Sequence, residues 1–316
     1  MHLFCSFLSF KESSRKLWGT GLIAAATALL LAIPSGATEP GSEALPFLRL
    51  HQNPASLAAG AASAGTAALL PFGGDRLCAG ASYLSYMPSV SRTDYISGGI
   101  SSRFGSFGDA GKEEISRFGA TLNFTRGAGR EVYGTDYKPS DLLLNAGFGW
   151  AMTRQLSIGL NLSYASQSLT EDYSVKAVAA DIFLAGKFGG FSFAAGASSL
   201  GGGVGSEETG DFSLPASAEA FFAYDFPLAG KHGLRASLDA DYYFSGAFSA
   251  ALGAEYAFGD IAFARAGYRY GGDSIIPSFA SAGLGFRFKG FELDAAYLFA
   301  SETLGGSFAL GLVFHL

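Results

Sequence analysis

Eight charged residues in the last third of the chain, Asp239, Asp241, Glu255, Arg265, Arg269, Arg287, Glu292 and Asp294, form the densest set of groups that could do chemistry. Their signs mix across neighbouring segments. Such a set can be a buried network of ion pairs that neutralise one another, or, given a net sign, a constriction that selects solutes by charge. The mixed signs favour the network. Catalytic groupings are missing from the rest of the sequence: it has no phosphate-binding glycine loop, no dinucleotide fingerprint, no Gly-x-Ser-x-Gly elbow and no His-Glu-x-x-His helix. The histidines, His2, His51, His232 and His315, are scattered. His232 follows Lys231 beside a turn signal and reads as a solvated turn residue rather than a catalytic base. A non-enzymatic protein with no cofactor and no metal is expected.

The elements that must position these charges are strands. The chain closes on FALGLVFHL, which puts Phe308, Leu310, Leu312, Phe314 and Leu316 on one side of an extended segment and Ala309, Gly311, Val313 and His315 on the other. Period-two alternation marks a strand with two different environments. Composition says what they are. The chain has 44 glycines, 29 phenylalanines and only 15% charged residues, and no stretch after the N-terminus is apolar for the length of a membrane helix. Strands with an apolar outer face and a small or polar inner one satisfy both facts, so the expected fold is all-β, a transmembrane antiparallel barrel.

From Leu77 on, alternating segments of about eight to twelve residues begin at Leu77, Asp94, Arg117, Asp141, Leu156, Ser174, Phe191, Leu214, His232, Ala247, Ile261, Phe279, Phe291 and Phe308. That makes about fourteen strands, an even number as bacterial barrels require. With both termini in the periplasm, short turns should follow even strands and longer loops odd ones. Gly189-Gly190, Met152 to Arg154, Gly259-Asp260 and Lys289-Gly290 fit the first class; Arg126 to Ser140, Ser199 to Asp211, Gly271 to Ser278 and Ala300 to Ser307 fit the second. Phe244 to Gly246 is too short and Phe104 to Ser116 too long for this scheme.

Turn arithmetic then assigns faces. A two-residue turn at Lys289-Gly290 opposes Arg287 to Glu292 and puts both inside with Asp294. A strict two-residue turn at Gly259-Asp260 would instead drive Arg265 and Arg269 into lipid, at a cost of roughly 2 to 4 kcal/mol for an arginine at mid-membrane. A three-residue loop or bulge is therefore expected there, with both arginines in the lumen.

Lys11, Arg15 and Lys16 precede the apolar run Leu17 to Ile33 and the small-residue site Ser35-Gly36-Ala37. Residues 1–37 read as a cleaved signal peptide that exports the chain, and the barrel pattern places it in the outer membrane. Residues 38–72 are Ala-rich without alternation, and Asn53-Pro54 has the form of an N-cap and first helical residue. This short helical or coil segment should pack in the lumen as a plug, leaving residues 73–316 as the barrel. The acidic balance argues against nucleic acid, and the partner of the outer face is membrane lipid. Tyr133, Tyr137, Tyr173, Glu207 and Glu208 fall in expected outer loops, where a solvated loop competes with a partner-binding surface.

Several stretches together carry a family likeness. FLRL (Phe47 to Leu50), VAADIFLAGKF (Val178 to Phe188), LGAEYAFGDIAFARAGYRYGG (Leu252 to Gly272), AGLGFRFKGFELDAAYLF (Ala282 to Phe299) and the closing LGGSFALGLVF span most of the mature chain. In order and spacing they resemble the PorV/PorQ family of outer-membrane proteins. The resemblance implies a FadL-like barrel and a role in the type IX secretion system of Bacteroidetes, with secreted cargo C-terminal domains and other secretion components as partners. The alternative implied by the barrel type is a FadL-like transporter of small hydrophobic solutes, which would want an apolar pocket beneath the plug and a gap in the wall.

Overall fold

The computed structural model describes residues 43–87, 92–106, 117–129, 137–170, 173–206, 210–272, 277–299 and 306–316. The expected signal at 1–37, Tyr133, Glu207 and Glu208 lie outside them. Sixteen strands follow in order: β1 (Leu77–Tyr86), β2 (Thr93–Phe104), β3 (Phe118–Gly129), β4 (Ser140–Ala151), β5 (Leu156–Ser168), β6 (Ser174–Phe188), β7 (Phe191–Leu200), β8 (Val204–Ser206), β9 (Gly210–Phe212), β10 (Ser217–Pro227), β11 (His232–Tyr243), β12 (Phe248–Phe258), β13 (Ala262–Tyr270), β14 (Phe279–Phe288), β15 (Phe291–Phe299) and β16 (Ser307–His315). Fourteen of them close into one antiparallel barrel, and β8 and β9 form a small hairpin of their own between β7 and β10. Barrel strands run from nine to fifteen residues, enough for tilted strands to cross a bilayer.

The last strand closes on the first. β16 pairs with β1 from Cys78↔His315 to Ser85↔Phe308, so no edge is left unpaired. Outward-facing Leu122, Val178, Leu252, Leu284 and Leu293 are each more than half exposed, a display that belongs in lipid rather than water. Rings gather towards the rim that holds both Leu77 and Leu316: Phe104 stacks on Phe118, Phe118 on Phe148, and Phe291 packs 4.6 Å from Phe314. Tyr164, Tyr268, Tyr270 and Tyr297 occupy the opposite half of the wall, so aromatic residues flank the apolar band on both sides.

The turns settle the faces as the pattern requires. Arg287↔Glu292 and Phe288↔Phe291 flank a two-residue turn. Phe258↔Ala262 brackets three residues, Gly259, Asp260 and Ile261, which pairs Glu255 with Arg265 and turns both arginines of β13 inward. Two departures have physical causes. β10 begins at Ser217 rather than Leu214, because Pro215 cannot donate to a ladder and Ser213 is already engaged with Glu43 and Ala44 of the plug. The stretch between β7 and β10, expected as a loop, contains the β8–β9 hairpin.

Residues 43–72 occupy the lumen. Leu45, Phe47, Leu48 and Leu50 pack on Leu84, Leu143, Leu214, Phe279 and Leu298 at the loop end. The short helix Pro54–Ala58 starts at Asn53, whose side chain accepts from the Ala55 N–H at 2.9 Å, and lies against β13 to β16; the 3-10 turn Ala67–Phe72 lies against β2 to β6. Contact is so close that a methyl group at Gly267 would run into the Ala59 carbonyl carbon, and one at Gly149 into the Ala67 carbonyl oxygen. Glycine at these wall positions is a steric requirement of the plug.

Phe314 anchors the closing strand to lipid and to Phe291. Replacing it with Asp puts a carboxylate on the membrane face and should leave most of the protein unassembled. Heat-modifiable gel mobility of the membrane fraction reads this directly, and normal assembly of the variant would contradict it.

Candidate functional site

The eight charged residues come together inside the barrel, in two groups centred on the arginines of β13. Arg269 is fully buried. Its guanidinium donates to Asp239 and Asp241 at 2.7 Å each, to Ser249 at 2.6 Å and to the plug carbonyls of Ala61 at 2.9 Å and Gly60 at 3.4 Å. One side chain thus joins β11, β12 and β13 to the plug. A planar fork with five donors can do this, whereas a lysine ammonium could not reach all five acceptors.

Arg265, two residue pairs nearer the termini, bonds Glu255 at 2.6 Å, Glu292 at 3.4 Å and Asp294. Glu292 is shared further, with Arg287 and with His315 Nε2 at 3.1 Å. The His315 Nδ1 side meets Asp75 at 2.9 Å, where the plug turns into β1. Charges of opposite sign therefore run in a chain from the middle of the lumen to the rim, each satisfied by a partner, which is the condition for burying them.

Several interior groups were not singled out from sequence. Arg49 of the plug pairs with Glu43 at 2.5 Å and lies flat on Tyr243, 3.4 Å from the ring centre. Burial lowers its pKa from the ordinary arginine value, with Tyr243 and Glu43 acting against that shift. Asp225 pairs with Arg235 at 2.5 Å. Asp181 accepts from the Ser199 N–H at 2.8 Å, a donor freed because β7 carries one extra residue opposite Ala180 to Ile182. Period-two counting on β10 and β11 could have found Glu219, Asp225 and Arg235, which share faces with Ser217 and Asp239. Arg49 and Glu43 lie in a segment with no period to count.

A void of about 40 Å³ is lined by Arg49, His51, Asp181, Glu219, Asp239 and Tyr243, room for water but not for an organic solute. A smaller apolar void of about 10 Å³ lies among Leu50, Leu57, Leu84, Phe279 and Leu298. Every neighbouring pair of barrel strands is hydrogen-bonded, so among the described residues the wall has no gap. The chemistry of this interior is ion pairing. Among the described residues no grouping of histidine, cysteine and acidic side chains could hold a metal ion. Of the loop residues, Tyr137 donates to Ser168 at 2.5 Å, and Tyr173 sits at the β5–β6 turn, where its carbonyl accepts from Leu169 at 3.1 Å. His232 is exposed and meets the Tyr256 hydroxyl at 2.6 Å.

Removing Arg269 tests the junction. Arg269→Met strands two buried carboxylates and should destabilise the barrel by about 3 to 5 kcal/mol. Adding Asp239→Asn and Asp241→Asn should recover most of the loss, measured by denaturant unfolding in detergent; an unmeasurable loss in the single variant would contradict the junction. Asp75 gives a second test. The hydrogen bond from His315 holds its pKa below the ordinary 3.8. A depressed carboxylate contributes stability above its unfolded value and loses it as pH falls through the folded one. Proteolytic cleavage near Gly73 and Gly74 should therefore rise in acid below about pH 4, and Asp75→Asn should raise it already at neutral pH.

No protein-family model matches the sequence, and no curated protein matches it. Solved structures do. The toluene transporter TbuX of Ralstonia pickettii superposes with a TM-score of 0.57 at 11% identity, over 85% of this chain and 100% of that one. The P. putida toluene transporter TodX gives 0.56 at 14%, over 84% and 98%, and the monoaromatic hydrocarbon channel CymD 0.55 at 13%, over 83% and 97%. None of these comparisons supports the finer PorV/PorQ assignment. What they establish is the fold: this chain is a FadL-like fourteen-stranded β-barrel of the outer-membrane type with an N-terminal segment in its lumen.

Proposed function

We propose that the protein is an outer-membrane channel for small hydrophobic solutes, held closed by its plug. The observation that carries this is the apolar knot at the loop end, where Leu45, Phe47, Leu48 and Leu50 meet wall leucines, with a smaller apolar cluster of Leu69, Phe183 and neighbouring alanines deeper in the lumen. A hydrophobic molecule entering from the loops meets first a region where it can replace protein side chains without stranding a polar group. Below the knot the helix Pro54–Ala58 meets the wall largely through alanine and glycine, while Leu69 and Leu70 add a second, smaller apolar contact. Similarity in fold to toluene and monoaromatic channels supports the same reading. The gap in the wall and the solute-sized apolar pocket beneath the plug that this reading called for are absent among the described residues, and the paired charges of the lumen count against an open path, so on this reading passage requires the plug to move.

A second reading is a non-enzymatic type IX secretion barrel of the PorV/PorQ kind, binding cargo C-terminal domains at its loops and rim. It rests on the sequence resemblance and is favoured by one observation: a lumen filled with latched plug and paired charge leaves only loops and rim as a working surface.

Uptake of radiolabelled toluene by cells that lack other hydrophobic-solute channels separates the two. Expression should raise uptake severalfold, and Leu48→Asp with Leu50→Asp should abolish the gain while the barrel still assembles. Unchanged uptake by assembled protein would overturn the channel reading, and capture of a secreted protein's C-terminal domain would then put the secretion reading in its place.

A further inference from the structure

The outward face of the barrel is almost free of charge. Among the described strand residues only Asp94, Arg126 and Lys176 direct a charge towards lipid, and Asp94 is paired with Arg92 at 2.9 Å. Arg126 and Lys176 are exposed, and among the described residues neither forms an ion pair. They share one hydrogen-bonded row, Ile96, Arg126, Leu142, Ser166 and Lys176, across β2 to β6. The row on the loop side, Asp94, Ala128, Ser140, Ser168 and Ser174, supplies three hydroxyls, with exposed Lys138 just before β4.

On the other side of the cations the wall is sunken. Gly98 and Ala146 lie among Phe124, Leu144, Leu162 and Val178, and leave an open apolar groove of about 640 Å³ on the membrane face. A groove for hydrocarbon and a pair of unneutralised cations at its loop-side end have complementary demands. An anion with acyl chains meets both, and charge-assisted hydrogen bonds from Arg and Lys to phosphate are the strong ones.

We propose that the β2–β6 face is a binding site for a phosphorylated, multiply acylated sugar lipid of the outer leaflet. Its acyl chains lie in the groove over Ala146, and its phosphates meet Arg126 and Lys176. The two cations are three strand spacings of about 4.8 Å apart, roughly 14 Å, a span suited to two anionic groups on a wide head rather than one phosphodiester. Serines between and above them suit sugar hydroxyls. The site rests on outer-membrane placement with the loops outward, and is independent of what the lumen passes.

Native mass spectrometry of the full-length barrel in neutral detergent tests it, with three probes: a bisphosphorylated, hexa-acylated glucosamine disaccharide, its dephosphorylated form, and phosphatidylglycerol. Saturable one-to-one binding of the first alone is expected. Arg126→Gln with Lys176→Gln should weaken it about tenfold or more, and Ala146→Phe, which fills the groove without touching charge, should do likewise. Should the charge variant fail to assemble, Ala146→Phe decides. Equal binding of the dephosphorylated probe, equal binding of phosphatidylglycerol, or undiminished binding by the assembled variants would overturn the site. Membrane fractionation of the same cells reports outer-membrane placement separately.

Discussion

Hydrocarbon offers no partner for a peptide N–H or C=O, so a sheet in lipid must satisfy every backbone group from within itself. Closure of β16 on β1 meets that demand here. Leu77 and Leu316 exchange both backbone bonds, at 3.1 and 2.8 Å, and the register fixed there passes around the other thirteen pairs. Once the ring is closed, each strand has one face for lipid and one for the interior, and a slip of one residue would exchange them. Placement of Arg265 and Arg269 in the lumen follows from that constraint, together with the third residue of the β12–β13 turn that keeps it.

A ring of fourteen strands encloses more space than wall side chains alone can fill. The plug fills it. Small residues let its backbone lie directly on the wall, and Arg269 ties it to three strands at once. Among the described residues the other interior carboxylates find partners too, Asp225 in Arg235 and Asp141, Asp181 and Glu219 in neutral hydrogen-bond donors, so the filled interior is a closed barrel rather than a water-filled pore. The apolar knot near the loops is the larger of the apolar clusters in the lumen and lies nearest the loops, so it is the part that a hydrophobic solute would contest first.

Much of the wall was legible in the sequence, because period two is a strong signal when one face is lipid. The starts of β1, β5, β6, β7, β11, β14 and β15 follow from it, and the turn arithmetic at Lys289-Gly290 and Gly259 to Ile261 needed only the cost of an arginine in hydrocarbon. The interior was half legible. Arg265, Arg269, Arg287 and their carboxylates lie on regular strands, where parity tells the face and the signs tell the pairing. Arg49 and Glu43 sit in an irregular segment whose path is set by contacts far along the chain, and local pattern carries no trace of Tyr243 beneath Arg49. The extra residue at Ser198-Ser199 and the β8–β9 hairpin were equally hidden: a bulge is a local slip of register, and a three-residue strand is too short to show a period. The outward pair Arg126 and Lys176 was visible as parity but acquires meaning only when four strand registers place both in one row.

Residues 43–72 fill the lumen and hold it shut. Current through single barrels in a planar bilayer tests this most directly, comparing the native protein with one lacking that segment. The native barrel should show no steady open-pore current, and deletion of the segment should produce one. A large, steady, ohmic current through the native barrel would contradict the account.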